Sequence, residues 1–302
     1  MLISDLHYSK LILTFQFGQR IIEKTQYQKV ETQSYIMNRI DKKFQQLRQQ
    51  GVSAFMPYLC AGDPTPELTA KLLLTLEQAG ADLIELGVPF SDPIADGPTI
   101  QRASERALKH QISLQQILEI VKTLRQQTDI PIALMSYYNP IFSMGESTFC
   151  QAAQDAGVDG IIVPDLPPEE AQPLLQVAPQ HNLATIFLVA PTSPSERMQS
   201  IASVSTGFVY CVSLTGVTGV RATLSNEVAP MITELRKHTP KPISVGFGVS
   251  TPEQAKQVAV VADGVIVGSA IINVIEKHKD DESKLLTAVK QFASELAVGV
   301  KA

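Results

Sequence analysis

No stretch of the sequence approaches the roughly 20 consecutive apolar residues needed to cross a bilayer, so nothing in it reads as a membrane span. The apolar run nearest the start, LILTF at 11–15, is too short for the core of a secretion signal and lacks a small-residue cleavage site after it. Cysteine is scarce. Cys60, Cys150 and Cys211 are odd in number, far apart and without CxxC spacing, which disfavours a disulfide framework and reads as reduced thiols of a cytoplasmic protein. An excess of positive charge is also missing: a net charge of −5 gives no basic footprint for nucleic acid. What is present, 44% hydrophobic and 18% charged residues over 302 positions, suits a globular protein with a large core. That length fits two small domains or one α/β barrel.

Residues 1–36 show no sustained periodicity. At Met37 the run MNRIDKKFQQLRQQG takes on helical spacing and stops at Gly51. The expectation is a folded unit over 37–302, preceded by a loosely held extension over 1–36 or by the product of an upstream start. From residue 53 onward, short apolar runs alternate with longer amphipathic ones. The strand candidates are AFMPYLCA, DLIELGV, PIALMSY, GIIVPD, ATIFLVA, GFVYCVS, PISVGFG and DGVIVGS. Between them lie helical stretches such as ELTAKLLLTLEQAG and LQQILEIVKTLRQQ. Near-continuous apolar strands separated by helices mean parallel pairing with crossovers. Eight such units predict a (β/α)8 TIM barrel in one domain, with an open doubly wound sheet as the alternative.

In a barrel the chemistry lies in the loops after the strands. Many catalytic parts are missing there. None of His7, His110, His181, His238 and His278 falls at a predicted strand end, which disfavours a histidine metal centre. No lysine does either, which disfavours a Schiff base. There is no GxSxG elbow and no Walker motif, and the GxG at 246–248 lacks the third glycine of a dinucleotide fingerprint. GFGVS and GSAI, after the seventh and eighth predicted strands, stand where barrels hold phosphate. Gly246, Gly248 and Gly268 would let the backbone approach an anion, with amides of Gly248 and Ser269 donating. The Gly/Thr/Ser-rich SLTGVTGVRATLSNE after the sixth strand reads as a lid or as a plain connection.

Carboxylates remain. In the second strand Leu83, Glu85 and Gly87 share one face, while Ile84 and Leu86 share the other and suit the helix layer. Glu85 therefore points into the barrel, where apolar surroundings raise its pKa toward neutrality. A structural ion pair is the competing role, weakened because no cationic residue occupies a predicted strand interior. Asp96, in the following loop, could join Glu85 in proton transfer or equally cap the helix starting near PTIQRA. Asp92 reads best as a loop or surface residue.

YLCAGDP, IELGVPFSDPIADGPTIQRA, YYNPIF, VPDLPPEE, YCVSLTGVTGVR, GFGVS and VIVGSAI together resemble the tryptophan synthase alpha chain family, in order over about residues 37–298. Cys60 departs from a common threonine, and residues 1–36 have no counterpart. The resemblance implies cleavage of indole-3-glycerol phosphate to indole and glyceraldehyde 3-phosphate, with no cofactor or metal in this chain. It implies that Glu85 protonates indole C3 and takes the glycerol hydroxyl proton, and that Asp96 accepts from the indole N–H. It places Tyr210 beside Glu85, Tyr58 and Phe247 in the pocket wall, and Thr218 and Gly219 in a closing loop. Gly219, Gly248, Gly268 and Ser269 become phosphate contacts. The Asp92 loop and DLPPEE would face a pyridoxal-phosphate beta chain in an α2β2 tetramer that receives indole through a channel. Two other readings compete: a different phosphate-binding barrel enzyme, and an inactive subunit that only activates a beta chain.

Overall fold

The computed structural model describes residues 37–212, 224–246 and 248–302. The first half runs α1 (Arg39–Gln50), β1 (Ala54–Cys60), α2 (Pro66–Gln78), β2 (Ile84–Gly87), α3 (Pro98–Leu108), α4 (Leu114–Leu124), β3 (Ile132–Met135) and α5 (Tyr138–Met144). It continues through α6 (Glu146–Ala156), β4 (Gly160–Ile162), α7 (Gln172–Val177), β5 (Ala184–Ile186), β6 (Leu188–Val189) and α8 (Ser195–Val204). The last part is β7 (Val209–Val212), α9 (Leu224–Arg236), β8 (Ile243–Gly246), α10 (Pro252–Ala259), β9 (Gly264–Val267), α11 (Ser269–His278) and α12 (Glu282–Lys301).

All pairings are parallel, in the order β5-β4-β3-β2-β1-β9-β8-β7-β6. The two ends of that ladder, β5 and β6, are separated by Phe187 alone, whose carbonyl accepts from the Tyr210 amide at 3.1 Å. They are halves of one strand, so the ring has eight strand positions. The expected barrel forms.

Its side chains divide as the alternation in β2 predicts. Leu83 joins Met56, Ala133, Ile162, Ile186, Phe208 and Ile266 inside the ring. Ile84 and Leu86 pack outward with helix residues such as Leu72, Leu76, Ile117 and Val121. Helix α1 closes the mouth at the strands' N-terminal ends. Asn38 caps it by accepting from the Ile40 amide at 2.8 Å, and Gly51 ends it at φ 69°, where a side chain would be strained. Its buried face of Ile40, Phe44 and Leu47 plugs the ring, with the Phe44 and Phe208 rings 5.8 Å apart.

One device recurs four times at this N-terminal rim. A side chain just before one strand accepts the amide of a residue at or next to the start of the preceding strand. Asp82 accepts from Phe55 (3.0 Å), Asp159 from Ile132 (2.9 Å), Thr206 from Thr185 (2.7 Å) and Asp263 from Ile243 (2.7 Å). The three aspartates also meet cations: Asp82 pairs with Lys301, Asp159 with Arg39 and Arg125, and Asp263 with Arg236. Nothing in the sequence alone assigns these residues a role. The signal was an Asp directly before an apolar run, as in ADLIELG, VDGIIV and ADGVIV.

Candidate active site

Strand β2 carries Glu85 level with Tyr58 on β1 and Ala133 on β3. The side chain points inward as its alternation requires and is only 2% exposed. Its Oε2 has no hydrogen-bond partner among the described residues, and no described cation pairs with it. Burial pushes the carboxyl up to about 8; hydrogen bonding with Tyr210 opposes that shift, and the charge of Asp96 adds to it. At neutral pH, Glu85 is therefore mostly protonated in its buried setting.

Asp63 makes the contrast plain. It too is a buried acid at the C-terminal mouth, on the loop after β1, but Arg106 grips both its oxygens at 2.7 and 2.9 Å. Arg106 reaches on to Glu276 at 2.8 Å, tying that loop to α3 and α11. Asp63 is a fastening; Glu85 has no such cation among the described residues.

Asp96 sits half-buried in the β2–α3 loop, where burial lifts its carboxyl to about 6 and hydrogen bonding from Tyr137 opposes the lift. It does not cap α3. Gly97 occupies the N-cap with Pro98 next, and no side-chain cap is made. Two acids thus share one mouth with their pKa values pushed apart, about 8 and about 6. Near pH 7 the first is mostly acid and the second mostly anion. Asp92 is exposed and accepts from the Ser91 hydroxyl at 2.6 Å.

Two tyrosines lean toward the mouth over glycines of the neighbouring strand. A Cβ on Gly87 would stand 2.1 Å from the Tyr58 hydroxyl, and one on Gly246 would stand 2.8 Å from that of Tyr210. Gly246 has to be small because Tyr210 lies across it, a reason its place in the GFGVS loop does not reveal. Burial holds both phenols well above 10, so they remain neutral donors.

Gly248 does suit an anion loop: it has φ +63° and open space where a side chain would start. Gly268 precedes Ser269, the first residue of α11, with no side-chain cap, so the first-turn amides of α11 begin directly after the end of β9. Thr218, Gly219 and Phe247, and residues 213–223 of the expected lid, lie outside the described residues, as does the 1–36 extension.

Other chemistries find no support among the described residues. No group of three or more potential metal ligands comes together. Burial pushes the thiols of Cys60 and Cys211 up to about 12 and that of Cys150 to about 11, so all stay protonated. Ser195, His238 and Glu234 do meet, but serine and glutamate share one ring nitrogen of His238, at 2.9 and 3.5 Å. The acid cannot orient the ring for the serine, and the serine is exposed at the start of α8. A cleft of about 210 Å³ opens at the opposite mouth, beside Phe44, Leu47, Ser53 and Asp263. Two of its polar groups are already committed: Ser53 to the carbonyls of Ala259 and Ala262, Asp263 to Arg236.

With this geometry in place, comparison with known proteins is decisive. The sequence profile described as Tryptophan synthase alpha chain matches residues 44–301. The chain belongs to the tryptophan synthase alpha chain family. It is similar to the alpha chain of Geotalea uraniireducens, 50% identical over 266 residues that span 88% of this chain and 99% of that one. The alpha chain of Picosynechococcus is 49% identical, covering 86% and 98%. Among solved structures, the alpha subunit from Legionella pneumophila superposes with a TM-score of 0.81 at 42% identity, over 87% of this chain and 98% of that one. Tryptophan synthase alpha chains catalyse the alpha reaction of L-tryptophan biosynthesis, cleaving indole-3-glycerol phosphate to indole and glyceraldehyde 3-phosphate, and need no cofactor of their own. They work with a beta chain.

Proposed function

We propose that Glu85 and Asp96 carry this carbon–carbon cleavage, and that one observation above all supports it: a buried inward carboxyl with a free oxygen and no cationic partner. Protonated Glu85 gives its proton to C3 of the indole ring, leaving an iminium-like cation. The Asp96 carboxylate accepts from the ring N–H and stabilises that charge. Glu85, now ionised, removes the proton of the glycerol hydroxyl next to the scissile bond. The C–O bond becomes a carbonyl, the carbon–carbon bond breaks, and its electron pair restores the aromatic ring. Glu85 ends as it began, so the cycle needs no oxidant and no lysine.

Tyr210 donates toward Glu85, and Tyr58 and Phe247 wall the indole. Gly219, Gly248, Gly268 and Ser269 hold the phosphate, and Thr218 closes the loop over it. The test is indole release from indole-3-glycerol phosphate, with and without a beta chain. Asp96→Asn is expected to lower kcat about 100-fold or more, because an amide gives no negative charge to the ring nitrogen. A loss of only a few-fold would remove the assignment.

The catalytic unit is residues 37–302, with 1–36 an extension, in a cytoplasmic protein whose three thiols are unpaired. The partner is a beta chain carrying pyridoxal phosphate, in an α2β2 tetramer. Support comes from two apolar side chains beside the site: Ile94, 84% exposed in the Asp92 loop, and Phe142, 64% exposed on α5. Ile94→Asp is expected to weaken association with a beta chain at least about tenfold in a calorimetric titration, as loss of a central apolar anchor does. Unchanged affinity would move the docking surface elsewhere.

A further inference from the structure

Tyr137 opens the segment YYNPIF, has no role legible in the sequence, and stands 41 residues from Asp96 along the chain. In the fold it occupies the N-cap of α5, 5% exposed, with its ring stacked on Phe90 at 5.1 Å and 26°. Its hydroxyl oxygen accepts at 2.9 Å from the amide of Ala95, the residue directly before Asp96. A phenol oxygen that accepts still has its own proton to give, and Tyr137 acts on the nearby Asp96 carboxyl in the direction that favours its anion. The next residue extends the line: the Tyr138 amide donates to Asp165 of DLPPEE at 2.9 Å. The Tyr138 ring lies 5.9 Å from the exposed Phe142.

We propose that Tyr137 is a positioning residue for Asp96: its hydroxyl clamps the loop at Ala95, aims the Asp96 carboxyl into the mouth, and links that aim to the loops bearing Asp165 and Phe142. This deepens the role proposed for Asp96 and rests on it. The titratable groups that feel the charge of Asp96 are Tyr58 and Cys60 from β1, Glu85 from β2, Tyr210 from β7 and Tyr137 itself. Among these described neighbours, Tyr137 is the one whose hydrogen bond favours the anion. Asp165 adds its charge on the far side of Tyr137.

Tyr137→Phe tests this, since it keeps the ring and its stacking on Phe90 while removing the hydroxyl that accepts from Ala95 and favours the Asp96 anion. The expected result is a kcat about tenfold lower, with KM for indole-3-glycerol phosphate changed by less than about twofold. The Asp96 carboxyl, followed by carbon NMR with Asp96→Asn as the assignment control, titrates at higher pH than in the parent protein. The acidic limb of the kcat profile moves up with it. A residue that only fills space would move neither. An Asp96 titration and an acidic limb that both stay in place overturn the proposal. The NMR readout does not depend on turnover: a parent protein that releases no indole defeats the proposed function, whereas a cleaving parent with an unmoved titration defeats the positioning role alone.

Discussion

Replacing Glu85 by Gln lowers kcat for indole release by about 10³-fold or more, the scale of losing an essential general acid and base. It also makes the folded protein more stable in alkaline solution. The sign follows from the raised pKa, shifted from 4.5 to about 8 by burial. Below the unfolded value, both folded and unfolded chains carry the proton and Glu85 costs nothing. Between that value and about 8 the unfolded chain is ionised while the folded one keeps its proton, so stability falls as pH rises across the window. Above the window the penalty is complete, on the order of 3–5 kcal/mol. Glutamine never ionises and escapes it. Urea titrations at pH 5 and pH 9 should therefore show similar midpoints at the lower pH and a higher midpoint for the variant at the upper. Activity ties to the same groups: turnover should fall below about 6 as Asp96 gains a proton and above about 8 as Glu85 loses one. Normal turnover in the Gln variant would remove Glu85 from the mechanism.

Asp159→Ala should be the most damaging change at the opposite mouth, costing about 3–5 kcal/mol in urea unfolding. The carboxylate is buried, bonded to Arg39 at 2.9 Å, Arg125 at 2.8 Å and the Ile132 amide at 2.9 Å. Removing it leaves Arg125, whose side chain is 11% exposed, with backbone carbonyls as partners and no direct ion pair. The Ile132 amide loses its acceptor at the start of β3. Burial raises the pKa of Asp159 more than its two guanidinium neighbours lower it, which shows how costly that setting is for an unpaired ion. Its distance from the C-terminal mouth means that turnover per folded molecule should be retained. A variant that unfolds at the parent's urea midpoint would show that the pair contributes no net stability.

Much of this protein can be read in one dimension because strand alternation is local. Leu83, Glu85 and Gly87 had to face one way and Ile84 and Leu86 the other, and the two packing layers divide along that line. What stayed hidden depends on neighbours across the sheet. Nothing in ATIFLVA marks Phe187 as the break between β5 and β6, since no glycine or proline stands there. Gly246 looked like part of an anion loop; only the β7–β8 register puts the Tyr210 ring against it. Asp96 left two roles open until Gly97 was found at the cap. Tyr137 gave no sign at all, because its bond to Ala95 is made between two loops that only the closed ring brings together.

The four side-chain-to-amide links at the N-terminal rim have a consequence of their own. They join the strand positions two by two, first with second, third with fourth, fifth with sixth, seventh with eighth. None of the eight residues involved contributes to the catalytic mouth. Labour is thus divided by end: one keeps the cylinder shut, and the other can trade loops and acquire new chemistry without unpicking a single seam.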